Sequence, residues 1–203
     1  MTMLAVSLAT EGDLDEQVLR RILRHSAREI EAGVCYGKHG RDQLKQNILR
    51  FNQAAPVRPF IILADLEDAV CAPRLIQEWL PHGAHANLVL RIAVRMVESW
   101  LLADRETFAK FLGVPPSRLP TQPDLVDHPK NTVIQIARRS RYKSIRDDLT
   151  PLAGSTRRVG PNYVGQMTRF VLEQWQVKRA AEHSPSLAHA LRAIENFSPV
   201  LPH

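Results

Sequence analysis

The chain has 203 residues, 44% hydrophobic and 24% charged, with a formal net charge of +6 at pH 7. That suits one domain, or one domain plus a small extension, with an ordinary core. No uncharged apolar run reaches the ~18 residues of a membrane-spanning helix, and Cys35 and Cys71 lack the spacing of a zinc site.

Leu4 to Thr10 reads as a buried strand. The apolar stretch from Met3 to Ala9 has no basic n-region and is too short for a signal peptide. A cytoplasmic protein with two free thiols is the expectation. Leu14 to Ala32 follows helical spacing, with Leu14, Val18, Leu19, Ile22, Leu23 and Ile30 on one face and Asp13 as N-cap. Gly33 to Gly40 holds three glycines and is expected to be a loop. Asp42 to Asn52 suits a second helix with Leu44, Ile48 and Leu49 inward. Phe60 to Ala64 is the second predicted strand and Asn87 to Val94 the third, separated by a helix from Pro73 to Leu80. Met96 to Leu112 reads as one helix, closed by Gly113.

Strand and helix alternate, which predicts parallel strands joined by right-handed crossovers. After Gly113 come Pro115, Pro116, Pro120, Pro123 and Pro129, a long irregular connection of the kind that is usually functional or disordered. Helices are then expected from Thr132 to Arg139, Tyr163 to Glu182 and Ser186 to Phe197, the last capped by Ser184. The organisation predicted is an α/β core over 1–112, a proline-rich connection over 113–131, and a helical region over 132–203 packing on the core.

The main chemical signal is where the carboxylates fall. Glu11 follows the first strand. Asp65, Glu67 and Asp68 follow the second, and Glu98 lies in the first turn after the third. In an open parallel sheet these positions share the carboxyl edge, where such folds bind ligands. Clustered carboxylates repel one another unless a cation compensates. Oxygen ligands suit Mg²⁺ or Mn²⁺, and a metal there fits phosphodiester chemistry. The bland alternative is that some of these acids merely cap helices or favour the helix dipole. No GxSxG, P-loop or GxGxxG offers another mechanism. Asp104 lies on the apolar stripe of its helix and is expected to pair with an arginine or a backbone amide as a structural anchor.

A polyanionic substrate needs cations near the acids. Arg95, Lys38, His39, Lys143 and Arg146 are the candidate nucleic-acid-binding residues, against the plain reading of solvated surface charge.

"SLATEGDLDEQVL", "FIILADLEDAVCAP" and "RIAVRMVESWLLAD", with "VGPNYVGQMTRFVLEQW" and "SPSLAHAL" near the end, resemble in order the blocks of a bacterial TOPRIM-like family. That family is related to the TOPRIM domains of overcoming-lysogenization-defect nucleases. The resemblance implies a TOPRIM-like, Rossmann-like three-layer fold with a small, mainly parallel sheet and a helical C-terminal extension. It also implies a Mg²⁺ site in which Glu11 is the glutamate after the first strand, Asp15 the second acid four positions on, and Asp65-Leu66-Glu67 the DxD. Glu67 departs from the pattern by one methylene, and Asp68 could substitute. The implied function is a metal-dependent nuclease with Glu11, Asp65 and Glu67 catalytic. It would serve as the effector of a phage-defence system linked to an ABC-type ATPase. The alternative is a non-catalytic subunit docking on such an ATPase or on nucleic acid. No zinc motif supports a primase, and no tyrosine on a further domain supports a topoisomerase.

Overall fold

The computed structural model describes residues 4–26 and 30–200. Four strands, β1 (Leu4–Thr10), β2 (Ile30–Gly37), β3 (Phe60–Asp65) and β4 (Leu88–Ala93), form one sheet in the order β2-β1-β3-β4. All three pairings are parallel, as alternating strands and helices require.

Alternate residues of the central strands feed two cores. Val6, Leu8, Ile61 and Leu63 face α1 (Asp13–His25), α4 (Val97–Ala103), α5 (Arg105–Leu112) and the helices that follow. Phe60, Ile62, Ala64, Leu90 and Ile92 face α2 (Arg41–Ala54) and α3 (Ala72–Trp79). The result is a Rossmann-like, three-layer α/β/α arrangement. β3 is buried along its whole length, as a strand covered on both faces should be.

The C-terminal region supplies α6 (Pro129–Ala137), α7 (Lys143–Leu149), α8 (Tyr163–Glu173), α9 (Val177–His183) and α10 (Pro185–Glu195). Val133, Met167, Phe170, Trp175 and Ile194 join the same buried cluster as Val6 and Leu8. The proline-rich connection is ordered by side chains on either side of it. Asp124 accepts bonds from Ser184 Oγ (2.7 Å) and the Ser186 amide (2.9 Å), and Ser184 caps α10 as expected.

Six expectations are corrected. The helix read as Leu14 to Ala32 ends at His25, and Ile30 begins β2, in the stretch partly read as a loop. Its middle residues, Ala27 to Glu29, lie outside the described residues. β2 is an edge strand carrying an extra residue opposite β1, between the pairs Val6–Ala32 and Leu8–Cys35. Its half-exposed, glycine-containing sequence therefore lacks the apolar run that marks a buried strand. Met96 to Leu112 is two helices broken at Asp104, and Tyr163 to Glu182 is two helices broken before Val177. Leu49, expected inward, is 49% exposed, because α2 buries only Leu44 and Ile48. Asp13 is the first residue of α1, with Gly12 in the cap position.

Cys35 and Cys71 are free thiols. Among the described residues, no helix is long and apolar enough to cross a membrane.

Candidate acidic site at the carboxyl edge of the sheet

Parallel strands bring their carboxyl ends to one edge, so residues just after β1, β3 and β4 converge there. Glu11, Asp15, Asp65, Glu67 and Glu98, five of the six predicted metal ligands, line one cavity of about 270 Å³. The sixth, Asp68, is exposed on the turn after β3 and does not line it. Asp13 stands at the rim, with its side chain 71% exposed.

Backbone amides tie the two central acids into the fold. Glu11 Oε1 accepts a bond from the Asp65 amide at 3.0 Å, joining the ends of neighbouring β1 and β3. Asp65 Oδ1 accepts from the Val97 amide at 2.9 Å, joining β3 to the start of α4. Glu67 has a φ of +49°, a conformation disfavoured for a side chain with a Cβ. The turn is held by its amide bonding Arg95 O (2.9 Å) and by Arg95 bonding the carbonyls of Glu67 (3.0 Å) and Ala69 (2.9 Å).

Negative charge dominates the cavity. Burial is the chief cause raising the pKa of Asp65, and Asp15, Glu98 and Glu11 add to it. Asp15 is pushed up to about 7 by burial and then by Glu98 and Glu11. Glu11 is raised by burial, against the opposing pull of the Asp65 amide and Arg41. Glu98 is 1% exposed. Its Oε1 accepts from Tyr163 Oη at 3.1 Å and lies 3.6 Å from Lys130 Nζ. Its Oε2 is buried with no hydrogen-bond partner. Burial works against the charge on Lys130, but Glu98, Asp65 and Asp15 outweigh it and leave its pKa raised.

Lys130 and Tyr163 were missed from the sequence. Both come from the C-terminal helices, and nothing in their spacing links them to an acid more than thirty positions earlier. Arg41 was missed too: it donates to Asp65 O at 2.5 Å, lies 3.6 Å from the Glu67 carboxylate and stacks over Trp79.

None of the five predicted nucleic-acid-binding residues lines the cavity. Lys38 pairs with Glu16 (3.1 Å) and Asp13 (3.4 Å). His39 is exposed on the following loop. Arg95 is spent on the two carbonyls above. Lys143 pairs with Asp147 at 2.7 Å, and Arg146 donates to Ser140 O at 2.5 Å.

The oxygen donors are of the kind a hard divalent cation takes, several carboxylates and a buried Glu98 oxygen without a partner, while the Lys130 ammonium cannot ligate and already supplies one positive charge. As the side chains stand, among the described residues no three His, Cys, Asp or Glu groups converge closely enough to enclose an ion. No family model, curated protein or solved structure matches the chain at a significant level. The functional reading therefore rests on the site itself and on the sequence resemblance.

Proposed function

We propose that the chain is a TOPRIM-like, metal-dependent nuclease whose divalent ion, Mg²⁺ or Mn²⁺, is held by Glu11, Asp15, Asp65 and Glu98, with Glu67 at the rim. The observation that carries the reading is the buried, unpartnered Glu98 Oε2 in a cavity where Lys130 is the nearby cation. Buried like charges are costly unless a cation offsets them. An ion bound there would neutralise a phosphodiester and acidify a bound water.

The protein's own groups have separable roles. Hydrogen bonds from the Asp65 and Val97 amides hold the Glu11 and Asp65 carboxylates to the end of β3 and the start of α4 rather than leaving them to the substrate to position. Asp15, pushed up to about 7 in the metal-free chain, would ionise when the ion binds, so ion uptake would release a proton near neutral pH. Tyr163 orients Glu98, and Lys130, beside Glu98, would meet a phosphate oxygen in this reading. A role as effector beside an ABC-type ATPase in phage defence belongs to the same reading and rests on the sequence resemblance alone.

The test is cleavage of DNA and RNA, single- and double-stranded, with Mg²⁺ or Mn²⁺, alone and with an ABC-type ATPase partner. Glu11→Gln and Asp65→Asn keep the shape and an acceptor oxygen while removing charge. Each should lower the rate by at least about 100-fold. Cleavage that both variants retain would overturn the assignment.

One observation favours a second reading, a non-catalytic subunit that docks on a partner ATPase: among the described residues no three donors converge closely enough for an ion. Titration calorimetry separates the two. The nuclease takes up Mn²⁺ and loses that uptake in Asp65→Asn, whereas the docking subunit shows no uptake.

A further inference from the structure

α6 sends Lys130 into the acidic cavity from one side and lines a second, larger groove with the other. That groove is open and holds about 470 Å³. Arg118, His128, Asn131, Thr132, Gln135 and Arg139 supply its polar wall. Asn131 and Gln135 are spaced one turn apart on α6, ~6 Å along its axis, with Thr132 on the same side and Lys130 roughly opposite. His128 precedes the helix and Arg139 follows it in the next turn, so the two extend the wall at either end.

None of these six side chains makes a hydrogen bond or ion pair with another described residue. Several exposed arginines elsewhere, Arg50, Arg138, Arg157 and Arg158 among them, likewise lack such a partner among the described residues, while others are committed. Arg20, Arg41, Arg95, Arg105, Arg146 and Arg179 each donate to a carbonyl or carboxylate. The groove instead keeps two guanidiniums, two carboxamides, a hydroxyl and an imidazole unspent, against the single carboxylate of Asp127. Val126 and Ile136 give it an apolar floor.

We infer that this groove binds a single-stranded stretch of nucleic acid flanking the bond to be cut. The inference rests on the nuclease reading for the position of the scissile phosphate, and adds to it the substrate path. Guanidiniums match phosphates in a planar, two-bonded geometry. Carboxamides can bond base edges, and the apolar floor suits a base or sugar face. A wall of more than one helical turn, extended beyond both helix ends by His128 and Arg139, exceeds a lone phosphate and fits a polymer. The groove lies about one helix diameter from the acids, ~10 Å. It therefore holds the strand without taking part in bond cleavage.

The experiment is fluorescence anisotropy in EDTA, with a labelled single strand longer than the ~4–16 nucleotides of typical sites. Arg118→Ala with Arg139→Ala should weaken binding at least about tenfold, the scale of one lost charge-assisted hydrogen bond. It should also lower the slope of log affinity against log salt by about two. Both residues are exposed, so folding is expected to be unaffected, and an unchanged melting curve checks this. Arg157→Ala with Arg158→Ala, also exposed, removes the same charge elsewhere and should leave both quantities near wild type. The inference is overturned by an absence of wild-type binding at low salt, by full binding of the groove variant, or by an equal loss in the control pair. Displacement by polyglutamate as readily as by unlabelled strand would also overturn it, in favour of an acidic protein partner. Asp65→Asn separates the two readings. Binding that survives while no protein form cleaves with Mg²⁺ or Mn²⁺ leaves the groove standing and removes the nuclease. Cleavage that persists when the groove variant binds normally does the reverse.

Discussion

Asp15 is buried, and its carboxyl is pushed from the ordinary value of 3.8 up to about 7, by burial first and then by Glu98 and Glu11. An acid whose pKa is higher folded than unfolded binds more protons in the folded state between the two values. Stability contributed by such a group is present at low pH and falls as pH rises through that window. Asp65 and Glu11 shift in the same direction, so the three effects reinforce one another. In metal-free buffer the chain should lose stability between about pH 4 and about pH 7. Asp15→Asn removes one titrating group and its repulsion. The variant should show a shallower decline and gain at least about 1 kcal/mol at neutral pH. Urea midpoints collected in EDTA across that range measure this, and an unaltered slope in Asp15→Asn would be incompatible with the charge cluster described here.

At the scale of elements, the two helix breaks that periodicity did not reveal are one feature. α4 and α5 part at Asp104, whose backbone leaves the helical region (φ −83°, ψ 61°). α8 and α9 part just before Val177. Asp104 joins the two breaks: its Oδ2 accepts from the Gln176 amide at 2.9 Å, and its Oδ1 receives Arg179 Nε at 2.8 Å and Nη2 at 2.5 Å. The expectation of an arginine or backbone partner for Asp104 was legible because a carboxylate on an apolar stripe needs one. Which arginine, and that the helix bends to reach it, were not legible, since both depend on a segment 72 positions away. Removing the carboxylate leaves the Gln176 amide without its acceptor and Arg179 with only the Thr107 hydroxyl and the more distant Glu106 carboxylate. Because Arg179 is 40% exposed and can turn to water, Asp104→Ala should cost about 3 kcal/mol, the lower end for broken buried pairs. Equilibrium urea unfolding checks the figure. A loss below about 0.5 kcal/mol, as at an ordinary surface site, would contradict the anchoring role. Mn²⁺ uptake should be unaffected, since Asp104 does not line the acidic cavity.

The same contrast holds for the site. β1, β3 and β4 announce themselves as short apolar runs, and their ends locate Glu11, Asp65 and Glu98 without knowledge of the fold. β2 does not, because an edge strand with a bulge needs little apolar sequence. The cations were chosen for nearness in sequence, as with Arg95 beside Glu98. Arg95 is instead committed to the carbonyls of the Glu67 turn. Lys130 reaches Glu98 through tertiary packing alone.

For the whole molecule, the acidic cavity is assembled from both halves of the chain. β1, α1, β3 and α4 bring carboxylates, while α6 and α8 bring Lys130 and Tyr163. One buried cluster runs from Val6 on the first strand to Phe197 beyond α10, so the helical region and the sheet share a core and should unfold together. A ligand that binds only the assembled cavity stabilises everything that builds it, by about 2.7 kcal/mol at 100 times its dissociation constant. For a chain of this size that corresponds to a rise in melting temperature of roughly 5–10 °C. Scanning calorimetry with Mn²⁺ against EDTA should therefore give a single transition that moves upward as one. Sodium chloride at matched ionic strength should reproduce little of it, because screening acts weakly on buried charges. Glu98→Gln, which removes the charge at the centre of the cluster, should lose most of the shift. Two transitions of which only the earlier responds would mean that the sheet binds the ion without α6 and α8. An equal shift from sodium chloride would reduce the effect to screening, and the cavity would then have no claim to be a metal site.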